Sequence, residues 1–553
     1  MIHRLSRHGI ACAFAWLACT GFCFWTAKGV SVRYHDRENA WHHYEYLVEG
    51  FLAGHTHLSR APAPALLALS DPYDPKANDG FRLWDASLYH GKYYLYYGPA
   101  PAVLLMLPWK LLTGHHLPQW AAAATMAAIG LGAAAVLLAA IRKRYFPNVS
   151  PPQLFVATVL TAHLAWLPVI LRRPAFWELP IVTAAALFWL SLFFLWKYRA
   201  AVQRPQWAFA GGLALALAPG ARPTYALTAG FMVLMFAWPR PPERLFSARL
   251  RRLIPLLVPL ALGAGGLIAY NYQRFGAVFE FGQSYQVWGV DFRGMPLFSA
   301  GNILANLRVY FFTLPEISPY FPFLRTAVID SPRAGYLGTE EMPGLLFTMP
   351  ALCFGIFALL HLARLRHHAS ANALRTVTLA ALIGGVITGT FLFCFGGGCS
   401  RYITELLAGW SIVSGIGWLA WRGEIARSAS PRALRAAGGI LVAWTLAGVW
   451  LASFEFRSYA RITQPGFYRP VAKFLNYPGH WLAHATGRNF GPVALDIRLA
   501  PAFTAGDTVV LSTGRAEMRN VLIVERLAPA RVRLRLAVND IVMIATPRPR
   551  GHR

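Results

Sequence analysis

Eleven apolar runs decide what this chain can fold into. They lie at residues 9–27, 118–141, 152–171, 175–196, 206–221, 223–238, 253–273, 343–363, 375–396, 402–421 and 436–454. Most approach the roughly 20 residues that a helix needs to cross a bilayer. Hydrocarbon offers no hydrogen-bond partner to a backbone, so each run must satisfy its own N–H and C=O groups, as a helix does. The composition agrees: 56% of the 553 residues are hydrophobic and 14% are charged, against about 25% charged in soluble domains. The fold class expected is an all-α polytopic membrane protein of about eleven transmembrane helices. The run 9–27 is longer than the roughly 7–15 apolar residues of a signal peptide, and no small-x-small cleavage pattern follows it. It reads as a retained first helix.

The formal charge of +28 would suggest nucleic acid in a soluble chain. Here the basic clusters sit in short segments between apolar runs. With the N-terminus inside, the clusters at Arg4 and Arg7, Arg142 to Arg144, Lys197 to Arg204, Arg240 to Arg252, Arg364 to Arg375 and Arg422 to Arg435 share one side. That is the positive-inside bias, and it removes nucleic acid as a partner. Arg172-Arg173 is the exception. Residues 99–114 are also apolar, but Pro101 and Pro108 interrupt them, and counting them as a span would throw the later clusters outside. They read as an interfacial or re-entrant piece. The expected layout, N-in and C-out, is a first helix at 1–27, an outer loop at 28–117 and helices two to seven within 118–273. A long outer loop at 274–342, helices eight to eleven within 343–454 and an outer tail at 455–553 complete it.

The outer segments have patterns of their own. Within 38–52, Trp41, Tyr44, Val48, Phe51 and Leu52 share one helical face, and Glu38, His42, Glu45 and Glu49 share another. The expectation is a helix lying in the membrane interface, apolar side down, and ending at Gly54. Tyr89-His-Gly-Lys92 reads as a tight turn between arms rich in tyrosine: Tyr89, Tyr93, Tyr94, Tyr96 and Tyr97. Such a cluster suits an interfacial belt, or the stacking of sugar faces or lipid head-groups. A loop as long as 274–342 is unusual without structure or function. In the tail, Val493–Leu499, Thr508–Ser512, Val521–Val524 and Val532–Val538 predict strands, two of them with clear alternation, and a small β-domain over 490–548. The six cysteines read mostly as small buried hydrophobes, and a disulfide between Cys394 and Cys399 is not expected.

Ionisable residues at membrane depth are costly and therefore functional suspects. Glu178, Arg222, Arg401 and Glu405 gather at the predicted outer ends of spans. Arg222 lies in Pro219-Gly-Ala-Arg-Pro223, and Arg401 follows Gly396-Gly-Gly-Cys-Ser400. A guanidinium there suits a phosphate held in forked geometry; the alternative is an Arg401–Glu405 pair at i,i+4. Asp36 and Glu38 stand just outside the first run, and Asp85 stands beside the aromatic turn with Lys92 and Tyr93. Any of these carboxylates suits general-base work on a hydroxyl, or else forms a solvated acidic face. No cofactor is implied with certainty. A divalent metal stays open, although His35, His42 and His43 are too scattered to define a site.

The layout from about residue 5 to 455 resembles the C-type (GT-C) superfamily of integral membrane glycosyltransferases. That superfamily includes protein O-mannosyltransferases and lipid A aminoarabinose transferases. Three patches carry the resemblance: Tyr44-Glu-Tyr-Leu-Val-Glu-Gly-Phe-Leu-Ala-Gly54, Gly98-Pro-Ala-Pro-Ala102 and Ser400-Arg-Tyr402. The resemblance implies transfer of a sugar from a polyprenyl-phosphate donor to a periplasmic lipid, glycan or protein, in the bacterial inner membrane. It implies Asp36 or Glu38 as the base and Arg222 and Arg401 as phosphate ligands. Where the family often has adjacent Asp-Glu, Arg37 separates Asp36 from Glu38. The family's Lys-Pro-Pro lacks its lysine here, with Lys92 as the candidate substitute. The rival readings are a transporter or flippase of lipid-linked glycans, and a non-catalytic envelope assembly protein.

Overall fold

A computed structural model describes residues 6–34, 42–200, 204–237, 246–326, 336–425, 430–456, 459–487, 506–513, 520–528, 531–538 and 541–545. The chain divides into two compact units, residues 1–476 and 477–553. In the first unit every one of the eleven apolar runs is largely helical. Among the described residues, seven helices are long and apolar enough to cross a membrane: Arg7–Lys28, Gln119–Tyr145, Glu178–Ala200, Leu253–Phe275, Asn372–Cys394, Ser400–Ile425 and Pro431–Glu455. The protein is a multi-pass membrane protein.

The remaining four runs differ from the expectation of full-length spans, and proline is close to each departure. In the run 152–171 the helix Pro151–Leu164 stops, Trp166 turns left-handed at φ 63°, and a short helix Leu167–Ile170 resumes around Pro168. The runs 206–221 and 223–238 become Pro205–Ala221 and Tyr225–Ala237, the second of 13 residues. Pro223 between them has no N–H to continue a helix. The run 343–363 breaks into Leu345–Thr348, a 3₁₀ turn Pro350–Cys353 and Phe354–Arg364. At 1.5 Å per residue, a 13-residue helix reaches about 20 Å, short of the roughly 30 Å hydrocarbon core.

Ser400–Ile425 and Glu178–Ala200 are the most enclosed of the seven long helices. The Trp189 indole N–H donates to the Ala408 carbonyl at 2.8 Å and fastens one to the other. Both present charged residues at the same end. The Arg172-Arg173 exception to the charge rule is explained by burial, for neither arginine is a loop charge. Arg172 Nη1 donates to Gln464 Oε1 at 2.9 Å, and its guanidinium lies 4.6 Å from the centre of the Phe454 ring.

The two long segments expected as outer loops meet in a three-stranded sheet. Strands β1 (Ala86–Tyr89) and β2 (Lys92–Tyr94) form a hairpin, and β3 (Gln286–Val287) pairs antiparallel on the other side of β1, with Ser87 opposite Gln286 and Ala86 opposite Val287. The expected tight turn is there. His90 and Gly91 adopt φ of 47° and 71°, the positive pair that a two-residue hairpin turn matching the strand twist requires. Tyr89 and Tyr94 pack on Phe275, so these rings belong to the packing of the loops.

The expected interfacial helix is corrected. Its described part is His43–Leu52, and Tyr44, Leu47 and Val48 are fully buried inside the protein. The apolar side faces protein because its partners come from the same unit. Tyr44 OH donates to Gly98 O at 3.1 Å, and Phe51 meets Tyr270 edge-on. The piece at 99–114 is largely helical. Ala102–Thr113 is a short apolar helix that begins with a π turn. It exposes Val103, Trp109, Leu111 and Leu112 and is too short to span.

Part of the tail belongs to the first unit. Helices Tyr459–Thr463 and Pro465–Leu475 close over a cluster of Phe321, Phe454 and Ala460. The second unit holds the helix Tyr477–Thr486 and a four-stranded antiparallel sheet of Gly506–Thr513, Asn520–Ala528, Arg531–Val538 and Ile541–Ala545, paired in sequence order. Three of these strands were expected. The strand expected at 493–499 lies outside the described residues. Ile541–Ala545 escaped notice because Ile541-Val-Met-Ile544 is continuously apolar and shows no alternation. Among the described residues no disulfide joins any of the six cysteines.

Candidate active site

Local backbone chemistry first brings one carboxylate into position. Asp85 precedes β1, its N–H bonded to Val287 O at 3.1 Å. Its φ of 64° is left-handed, a region that side chains other than glycine's enter at a cost and that recurs at functional sites. The side chain is buried. Trp177 Nε1–H donates to Oδ2 at 2.5 Å, and the Gln286 amide donates to Oδ1. Burial pushes its pKa up to about 6, against the pull of these bonds and of Arg401 and Arg173 nearby.

Glycine allows the next approach. A Cβ on Gly98 would stand 1.9 Å from Gly220 O, so only glycine lets the segment after the hairpin lie against the end of helix Pro205–Ala221. That contact brings Tyr97 under Arg222, whose guanidinium carbon is 5.4 Å from the centres of both the Tyr97 and Tyr402 rings. Tyr96 packs on Tyr97 at 4.1 Å.

Three arginines and three glutamates complete the cluster. Arg222 pairs with Glu405, which also accepts from Thr224 Oγ1 at 3.3 Å. Arg173 Nη2 lies 2.7 Å from Glu178 and 3.5 Å from Glu340. Arg401 pairs with Glu340. Arg173 lies over Trp177 at 4.9 Å, and Trp177 is the residue that holds Asp85, so the polar network is continuous. Each glutamate has a guanidinium against it, as buried charges need. The hydrogen bonds recorded for Asp85 come from neutral groups, the indole and the amide, which is why its charge remains costly.

The structure thus gathers Asp85, Glu178, Arg222 and Arg401 from the sequence candidates. The Arg401–Glu405 pair anticipated at i,i+4 is not the one formed: Glu405 turns to Arg222, and Arg401 turns to Glu340. Lys92 is exposed at the hairpin turn, and Tyr93 is enclosed, its hydroxyl accepting the Leu83 N–H at 2.9 Å. Tyr93 therefore serves the packing of the hairpin. Asp36, Glu38 and His35 lie outside the described residues. Among the described residues, no group of three or more His, Cys, Asp or Glu is placed to hold a metal ion. His43 stacks on Phe176 at 3.8 Å, and its Nε2 lies 2.9 Å from Trp84 O. Burial drives its pKa down to about 3, so it is neutral at physiological pH.

No family model and no curated relative matches the chain. Among solved structures, it is similar to the apo form of the Archaeoglobus fulgidus oligosaccharyltransferase, at 14% identity and a TM-score of 0.39 over 81% of this chain and 56% of that one. It is also similar to the archaeal oligosaccharyltransferase AglB from Archaeoglobus fulgidus in complex with an inhibitory peptide and a dolichol-phosphate. There the identity is 15% and the TM-score 0.36, with the same coverage. The chain spans little more than half the length of either.

Four members of the cluster were missed in the sequence: Arg173, Trp177, Gln286 and Glu340. Arg173 had left a trace as a violation of the charge rule. Gln286 and Glu340 sit in the long segment 274–342 with nothing local to mark them. They reach the site through pairing with distant segments: Gln286 through β3, and Glu340 through its N–H to Gly398 O at 2.7 Å.

Proposed function

We propose that the protein is a membrane glycosyltransferase that moves a sugar from a polyprenyl-phosphate donor to an acceptor on the periplasmic side of a bacterial inner membrane. The observation that carries this reading is Asp85, a buried carboxylate with a pKa near 6 in the field of Arg401 and Arg173. A base with a pKa close to the working pH balances availability against proton affinity. Asp85 takes the proton from an acceptor hydroxyl as that oxygen bonds to the sugar's anomeric carbon. The bond from that carbon to the donor phosphate breaks, and the phosphate leaves with the electron pair. Arg401, Arg222 and Arg173 steady the negative charge that grows on the leaving group. Trp177 and Gln286 fix the carboxylate, and Tyr96 and Tyr97 offer ring faces to the sugar. The resemblance to C-type glycosyltransferases supports the same reading.

Asp36 and Glu38 stay in the proposal as first-loop acids that compete for the role of base. The test is sugar transfer in detergent from labelled polyprenyl-phosphate sugars to a membrane extract. Wild type is compared with Asp85→Asn, Asp36→Asn and Glu38→Gln. Loss of transfer in folded Asp85→Asn supports the assignment. Loss confined to a first-loop variant moves the base there. Absence of transfer from every donor overturns the glycosyltransferase reading.

A further inference from the structure

The three arginine pairs of the cluster are not alike. Arg173 and Glu178 are five residues apart on one corner of the chain. Arg222 and Glu405 join two helix ends, and Glu405 is fully buried and also bonded to Thr224. Both are built into the helical packing. Glu340 instead arrives from the long outer loop, and its side chain and that of Arg401 keep 12% and 15% exposure.

The surroundings of Glu340 have the form of an anion cradle. Oε1 meets Arg401 Nη1 and lies 3.5 Å from Arg173 Nη2. Oε2 accepts the Ser400 backbone N–H at 3.1 Å and its hydroxyl at 3.3 Å. Ser400 opens the turn that leads into helix Ile403–Ile425, so the positive end of that helix adds to the two guanidiniums. The cradle has a further donor in reserve: Arg401 Nε is buried and finds no acceptor among the described residues. A planar carboxylate has two oxygens to offer. A tetrahedral phosphate has more oxygens and more charge, and it can meet the idle N–H as well as the fork.

We infer that Glu340 is a tethered stand-in for the phosphate of a lipid-linked ligand, and that the ligand binds by displacing this carboxylate from Arg401, Arg173 and Ser400. The exchange needs no opening of the loop. The Glu340 backbone stays held by Gly398, and the side chain alone swings away. While the site is empty, the carboxylate balances the charge of the buried Arg401 guanidinium. It also sets a threshold, because a competing internal group reduces apparent affinity by the fraction of time the site is free. The identification of the ligand as a lipid phosphate rests on the proposed function; the cradle itself rests on its own geometry.

The full-length protein in detergent is titrated with three probes: a short-chain prenyl phosphate, the prenyl alcohol of the same chain, and inorganic phosphate. The expected result is that Glu340→Gln binds the prenyl phosphate about tenfold more tightly than wild type, as for a site free about one-tenth of the time. The alcohol should bind wild type and variant alike, and adding Arg401→Gln should abolish the gain. A matching gain for inorganic phosphate identifies phosphate alone as the recognised group; a gain confined to the prenyl phosphate identifies the lipid headgroup. Where Glu340→Gln fails to fold, Glu340→Asp withdraws the carboxylate by one methylene and should give a smaller gain in the same direction. Unchanged or weaker phosphate binding in the folded variant overturns the inference. Absence of sugar transfer by wild type from every donor, with the phosphate gain intact, overturns the proposed function and leaves the cradle standing.

Discussion

The molecule carries two arginine networks that look alike on paper and differ in kind. One joins Arg293 to Asp71 at 2.5 Å and to Asp291 at 2.7 Å, with side chains 36–43% exposed. The other joins Arg173, Arg222 and Arg401 to Glu178, Glu405 and Glu340, with side chains 0–15% exposed. In water, an arginine between two aspartates is screened and gains little from the contact. Under protein, each charge must be matched or the fold suffers. Burial thus turns the same chemistry from decoration into constraint, and Asp85 is the member of the buried set whose hydrogen bonds come from neutral donors.

The largest effect should come from that aspartate. Asp85→Asn is expected to lower sugar transfer by about 10²–10⁴-fold, read with a labelled donor at saturating acceptor. In wild type, transfer should rise with pH through about 6 and then level off, as the proposed role of the ionised carboxylate as base requires. A profile flat from pH 5 to 8 would place the base elsewhere. Next comes Arg222→Ala, which leaves Glu405 buried without its partner. The expected loss is about 3–5 kcal/mol of stability, measured by chemical unfolding in detergent, and Arg222→Ala/Glu405→Gln should recover much of it.

A smaller effect, opposite in sign, separates function from packing. The folded-state pKa of Asp85 lies above the usual 3.8, so folding favours its protonated form. The ionised carboxylate therefore costs stability. This cost is absent below pH 3.8, grows as pH rises through 6, and is complete above it. Asp85→Asn removes the charge, and Gln286 can turn its amide to offer oxygen to the new NH₂. Above pH 7 the variant should be more stable than wild type by about 2–3 kcal/mol, a site that trades stability for reactivity. Equal or lower stability at pH 8 would mean that the carboxylate is structural. The smallest effect belongs to the exposed network: Arg293→Ala should leave both unfolding and transfer unchanged, and a clear loss in either would erase the contrast between the two networks.

Much of the fold was legible because hydrocarbon is a harsh solvent. Runs long enough to span it, and the side on which arginine collects, are one-dimensional signals. Proline then shortened four runs in ways that counting apolar residues does not register. The helix at 43–52 was found by its periodicity, yet periodicity says that a face is apolar and not whether lipid or protein covers it. The site was legible where charge stood out against an apolar background, at Glu178, Arg222 and Arg401. Partner choice was not. Arg401 had Glu405 one turn away, and the fold supplied Glu340 from 61 positions earlier. Gln286 carries no charge and sits in a polar loop, so nothing in its neighbourhood set it apart.

The sheet that binds the two outer loops also fixes when the protein can act. Gln286 follows Asp85 by 201 positions, and Glu405 follows Arg222 by 183. At about 5–20 residues per second, the ribosome takes roughly 10–40 s to travel from Asp85 to its amide partner. During that interval the hairpin has been made but its carboxylate is unclasped. A chain that stops before residue 400 cannot assemble the cluster of arginines and carboxylates. The cluster is complete only once the helix that bears Arg401 and Glu405 has been made.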